Sequence, residues 1–179
     1  MSAGIRLDGR TRRTFLFPAP VEETFRYYAR AEHIFSFLPH ITFLDALDDG
    51  VYRLLYHSTE LNIYRVRLYC DLRAALDAEG YTLRFSPLEG SLPAAPKAGL
   101  DWLEASGFYT STSIFRPHHD GQTAVEYTLH LWADLPRPWG LRMLPQGTMN
   151  RIANAIAKFR IQEIADGFVQ RTIEDYLRG

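Results

Sequence analysis

Polar and apolar positions change period twice along the 179-residue chain. Residues Arg12 to Phe17 are β-prone and stop at Pro18-Ala19-Pro20, because proline cannot donate to a strand ladder. Val21 to Ala31 then carries Phe25, Tyr28 and Ala29 at helical spacing, with Glu22 and Glu23 in the first turn, where the helix dipole favours negative charge. A second short helix is predicted from Glu32 to Phe37, where Ile34, Phe35 and Leu38 precede a break at Pro39.

After Pro39 the period becomes two, and about six further strands fit between Ile41 and Leu135. Asp48-Asp49-Gly50 and Ala78-Glu79-Gly80 are tight-turn signals, so the pattern predicts an antiparallel meander. Tyr64, Val66, Leu68, Cys70 and Leu72 alternate with Arg65, Arg67, Asp71 and Arg73, giving one apolar and one charged face. Val125, Tyr127, Leu129 and Leu131 alternate with Glu126, Thr128 and His130, although Trp132 interrupts the polar side. Phe108 to Phe115 is different, since Thr110, Ser111, Thr112 and Ser113 leave neither face wholly apolar. That fits either hydroxyls lining an interior site or an edge strand with one wet face. Pro87, Pro93 and Pro96 break the stretch from Ser86 onward, so residues 86–103 are read as a loop that is either a lid or a surface insertion.

From Gly147 to Leu177 no proline occurs, and Met149, Ile152, Ala153, Ile156 and Phe159 recur at helical spacing opposite Asn150, Arg151, Asn154 and Lys158. Past Phe159 the apolar residues Ile161, Ile164, Ala165 and Phe168 turn to another sector, and Gly167 tolerates a bend. Extending the first stripe brings Arg160 and Glu163 toward the sheet, either as a polar anchor for a ligand head group or as an i, i+3 ion pair at the rim. The preceding linker, Pro136 to Pro145, mixes Trp139, Leu141, Met143 and Leu144 with Arg137 and Arg142. It is either an exposed tip making transient membrane contact through Trp139 and Leu141, or a cover folded onto the sheet.

Composition narrows the partners. A formal net charge of −1 provides no field for a polyanion, so nucleic acid is not expected as a partner. The single cysteine, Cys70, excludes an intramolecular disulfide and a cysteine metal cluster and fits a reducing cytoplasm, the expected location. Met1 to Arg13 lacks the apolar run of a secretory signal, and residues 1–10 are read as a flexible start to one domain spanning 11–179. No phosphate loop, nucleophile elbow or His-Glu-x-x-His pair occurs. His118 and His119 are adjacent in a turn ending at Asp120-Gly121, a poor arrangement for converging on one ion, so neither a metal nor a cofactor is expected.

The order of strand, two short helices, a run of antiparallel strands and a long C-terminal helix resembles the START-like superfamily, the SRPBCC group of polyketide cyclases and lipid-transport proteins. Arg13 to Pro20 followed by Val21 to Tyr28, together with the helix from Gly147, carries the resemblance, which covers residues 11–177. It implies an α+β helix-grip fold: a curved antiparallel sheet of about seven strands around the C-terminal helix, with a ligand cavity between them. On that reading the site comprises Tyr56, Tyr64, Val66, Leu68, Tyr127 and Leu129 from the sheet and Ile152, Ile156, Arg160 and Glu163 from the helix. Three functions fit: a binding or carrier protein for a small hydrophobic molecule such as a lipid, quinone or polyketide-like compound; a cyclase, dehydratase or hydrolase using the same cavity; or a protein interaction module. The residues single out no catalytic set and fix no oligomeric state.

Overall fold

The chain order is β1 (Ile5–Phe17), α1 (Val21–Tyr28), α2 (Ala31–Phe35), β2 (Ile41–Asp48), β3 (Val51–Glu60), β4 (Tyr64–Asp77), β5 (Thr82–Pro87), β6 (Lys97–Ala98), β7 (Trp102–Ser106), β8 (Phe108–Pro117), β9 (Thr123–Leu135) and α3 (Gln146–Arg178). Short 3-10 turns lie at His119–Gly121 and Trp139–Leu141. The structure is a computed structural model describing residues 4–179, so the first three residues of the expected flexible start lie outside it. All nine strands form one sheet in the order β1-β9-β8-β5-β4-β3-β2, with β7 beside β4 and β6 beside β7.

The class is α+β as predicted, but the described residues hold nine strands where about seven were expected, and the β4–β7 pair is parallel. The difference arises within residues 86–103, where β6 and the start of β7 are too short to register as a period-two pattern. The expected flexible start is also corrected for residues 5–10, which extend β1 in register with β9 from Ile5 opposite Leu135. Ile5 and Leu7 are buried, while Arg6 bonds Asp134 and Asp8 bonds His130 on the outer face, so this basic stretch is an ordinary one-sided strand.

Helix α3 lies on the inner face, closest to β1. A Cβ on Gly9 would stand 2.9 Å from the Ala157 carbonyl oxygen, so only glycine admits this approach. Small residues on the helix answer it, since Ala153, Ala157 and Ala165 are buried at four-residue steps in one row with Met149 and Ile161, joined by Ile164, Phe168 and Thr172. The predicted stripe is corrected accordingly, since Ile152 and Ile156 are half-buried and Phe159 is exposed. Gly167 marks a close approach, because a Cβ there would meet Pro39 Cγ at 2.5 Å, and α3 continues past it as one helix.

Helices α1 and α2 close the end of the sheet beneath the C-terminal half of α3. Phe17, Tyr27, Tyr28, Phe115 and Phe168 pack there by edge and tilted ring contacts. The Tyr28 hydroxyl and Thr172 Oγ1 are 2.9 Å apart, which satisfies both buried polar groups. Residues 86–103 do not form a lid over the inner face. Ser91 donates to Asp71 at 2.6 Å and the Ala94 amide donates to Ser106 Oγ at 3.0 Å, pinning the segment to the outward side of β4 and β7. The Asp71 carboxylate beneath it also takes a two-pronged bond from Arg53, at 2.7 and 2.8 Å. Strand β8 sits between β5 and β9, so it is not an edge strand. Its Ser111 and Ser113 face inward and are buried.

Candidate functional site

The space between α3 and the sheet is divided into three parts. At the N-terminal end of α3 a cleft of about 60 Å³ lies between Ile5, Leu7, Tyr64, Val66 and Leu103 of the strands and Met149, Ile152, Ala153 and Ile156 of the helix, closed above by Leu61, Pro138 and Leu141. Next along the helix, a void of about 10 Å³ is bounded by Leu7, Tyr56, Arg160 and Ile161. A third, also about 10 Å³, lies under the aromatic end between Tyr28, Tyr109, Ser111, Ser113, Tyr127 and Phe168. On the same measure one water occupies roughly 10–15 Å³ and a small-molecule pocket about 300–1,000 Å³, so the interior is nearly closed.

The expected site residues are therefore distributed. Tyr64, Val66, Ile152 and Ile156 meet in the cleft. Tyr56 and Arg160 bound the middle void, Tyr127 the inner one, and Leu68 and Leu129 are fully buried core residues lining none of the three. The expectation of one cavity joining all ten is corrected, because Ala157, Ile161 and Phe168 seat α3 directly on the sheet between the openings. Ile5, Leu7 and Leu103 were missed. The alternation of Ile5 and Leu7 was a usable signal; Leu103, inside the proline-broken segment, offered none.

Arg160 is bonded on every side. Its Nε and Nη2 hold Glu60 at 2.9 and 3.2 Å, and its Nη1 holds Glu163 at 2.7 Å. His40 lies 2.9 Å from the same Glu163 oxygen. This network clasps α3 to the end of β3 and to the turn before β2, and it raises the Arg160 pKa, chiefly through the Glu60 bond. Burial alone would raise the Glu163 carboxyl, but the bonds and charges of Arg160 and His40 more than offset it and hold its pKa low. Glu163 itself lies at the outer rim, part-exposed. A ligand head group would have to displace Glu60 or Glu163 to reach Arg160, so the rim ion pair is the arrangement found.

The other ionisable groups inside are held neutral. Burial pushes the Tyr56 and Tyr109 hydroxyls and the Cys70 thiol up to about 12. Burial, and after it the neighbouring Tyr109 hydroxyl, likewise raise Tyr127 well above its ordinary value, and the Tyr127 hydroxyl has no partner at full hydrogen-bond geometry among the described residues. A second polar knot lies on the surface at the far end of α3, where Asp175 accepts from Tyr27 at 2.7 Å and sits 3.0 Å from His33. Burial and the Asp175 bond raise Tyr27, the wrong direction for a base, and the contacts tie α1 and α2 to α3.

Among solved structures the chain is similar to a conserved protein from Geobacillus kaustophilus, with a TM-score of 0.57, 11% identity and 96% of each chain covered. It is also similar to a protein from Thermus thermophilus, with a TM-score of 0.54, 18% identity, and 94% of this chain and 98% of that chain covered. The Zhui aromatase/cyclase from a Streptomyces species gives a TM-score of 0.53 and 10% identity, with 92% and 93% covered. No protein-family model and no curated protein matches the chain in sequence. At these identities the likeness is one of fold: the chain has a helix-grip fold, its long C-terminal helix held against one open sheet.

Proposed function

We propose that the chain binds a small hydrophobic molecule in the cleft beneath the N-terminal half of α3. The observation that carries this reading is that the cleft walls are apolar apart from Glu60 at the edge, whereas the rest of the inter-layer space is nearly filled. A site of this kind takes a ligand by burying its carbon surface, with few polar groups to orient it. At about 60 Å³ the cleft is in a closed state. Admission parts the β3–β4 turn and the Trp139–Leu141 turn from α3, and the Arg160–Glu60 bonds resist that motion. Neutral phenols and carboxylates already engaged by arginine favour holding a ligand over acid–base work on it.

A second reading, cyclisation of a polyketide-like ligand, is favoured by one feature. Glu60 reaches the wall of the cleft with its carboxylate fixed by Arg160, and the Zhui neighbour is named an aromatase/cyclase. Native mass spectrometry of freshly purified protein tests the main reading, together with binding of anilinonaphthalene sulfonate to wild type and to Ile156→Trp, which fills the cleft. A co-purifying small molecule and a loss of dye binding in the variant are expected. Equal dye binding by the two proteins with no co-purifying mass overturns it.

A further inference from the structure

Four chain segments surround the mouth of the cleft, and each turns large apolar side chains to solvent. Leu61 and Ile63 occupy the β3–β4 turn, Leu100 the approach to β7, Trp139 and Met143 the turn before α3, and Phe159 the helix itself; Trp139 is 58% and Met143 94% exposed. The segments are bonded into one surface. The Trp139 amide donates to the Gly99 carbonyl at 3.0 Å, the Gly140 amide to that of Leu100 at 3.4 Å, and Arg160 joins the Phe159 turn of α3 to Glu60. Leu61 has φ 52°, a conformation leucine rarely adopts, and it keeps an apolar side chain at the tip of a turn that would ordinarily be polar. Scattered exposed apolar residues need no explanation, but a contiguous group around a cleft marks an interaction surface.

Charge selects the occupant. The carboxylates in these segments are engaged, Glu60 by Arg160 and Asp101 by Arg65 at 3.4 Å. Arg142, stacked 5.4 Å over the Trp139 ring, has no carboxylate partner among the described residues. A second copy of the chain would bring to this cation only carboxylates that are already paired, Glu60 and Asp101. An anionic lipid surface would take it, with the indole among the head groups. Among the described residues no helix is long and apolar enough to cross a membrane.

We propose that the mouth of the cleft docks reversibly on an anionic lipid bilayer, with Trp139 and Met143 entering the head-group region. The contact is not made by Trp139 and Leu141 together, as the linker sequence suggested, because Leu141 packs against the core and closes the cleft. Docking goes beyond ligand binding and does not depend on what the cleft holds.

Co-sedimentation with vesicles of phosphatidylcholine alone and of phosphatidylcholine mixed with phosphatidylserine tests it. Wild type is expected to pellet with the mixed vesicles and largely not with the neutral ones. Arg142→Gln is expected to weaken binding about fivefold, and Trp139→Ser with Met143→Ser to abolish it while the unfolding midpoint stays unchanged. Ile156→Trp, which blocks the cleft, should pellet like wild type, so loss of ligand binding and loss of docking are read separately. Wild type remaining in the supernatant with mixed vesicles overturns the proposal. So does undiminished binding by the Trp139, Met143 double variant, or concentration-dependent self-association that this variant removes.

Discussion

The two halves of α3 rest on the same sheet by different means. The C-terminal half, from Ile161 to Thr172, is sealed by α1 and α2 and by rings in edge contact, with Tyr28, Phe17 and Phe115 among the most deeply buried side chains. The N-terminal half touches β1 through small residues, leaves Ile152 and Ile156 half-buried, and keeps open space beside them. Arg160 and its carboxylates mark the border. On the proposed function the difference separates two tasks that one helix would otherwise perform in the same place: the sealed half holds the fold, and the looser half yields to a ligand without unfolding it.

Phe168→Ala attacks the sealed half and carries the largest expected effect, about 3–5 kcal/mol of lost stability by urea denaturation. Ile152→Ala in the looser half should cost about 1 kcal/mol or less, because its side chain borders open space and little new cavity forms. Equal losses at the two positions would remove the distinction between the halves. At the border, Glu60→Ala should cost about 1–3 kcal/mol, since it leaves Arg160 with only Glu163 to answer a part-buried charge. The same variant should admit anilinonaphthalene sulfonate faster, because the clasp that closes the cleft is gone. A stable variant with unchanged dye kinetics would show that the clasp does not gate the cleft.

Acid sharpens the same border. The low folded-state pKa of Glu163 means that its contribution to stability is complete above the unfolded value, near 4.5, and is lost as pH falls through the folded value. The side chain is 39% exposed, so screening limits that contribution to about 0.5 kcal/mol or less. The stability gap between wild type and Glu163→Gln should therefore close as pH drops below about 4.5. A gap that stays constant to lower pH would mean that the Arg160 and His40 contacts do not favour the charged carboxylate.

The element order was legible in the sequence because proline stops, tight-turn residues and period changes are local signals, and they located α1, α2, the paired strands and α3 closely. The site was only partly legible. Alternation told which residues of β3, β4 and β9 face inward, and Tyr56, Val66, Leu68, Tyr127 and Leu129 do. It could not tell which of them border empty space, since that depends on how closely α3 approaches. Gly9 opposite Ala157 decides this, a pairing of residues far apart in the chain. The helical stripe held at Met149 and Ala153 and misled at Ile152, Ile156 and Phe159 for the same reason: the close approach to β1 brings Ala153, Ala157 and Ala165 to the sheet. Strand β6 was hidden by its length of two residues, and Ile5 to Arg10 by position, because charged residues near a terminus resemble a frayed start.

The smallest expected effect belongs to Tyr127, and its sign is informative. The hydroxyl is buried near that of Tyr109 but with no partner at full hydrogen-bond geometry among the described residues, beside an inner void of about 10 Å³ that Tyr109, Ser111 and Ser113 also border. The ring is held independently, 5.0 Å from Phe168, so Tyr127→Phe removes the oxygen and keeps the packing. Burying an unbonded hydroxyl costs free energy, so the substitution should be neutral or stabilising, within about 1 kcal/mol. Urea denaturation of the two proteins measures it. A loss of more than about 1 kcal/mol would mean that the hydroxyl is satisfied in the native protein by an ordered water or a ligand oxygen in the space it shares with the two serines. The sealed half of the interface would then hold a polar end to the binding site, and the division of α3 into a structural and a binding half would fail at this residue.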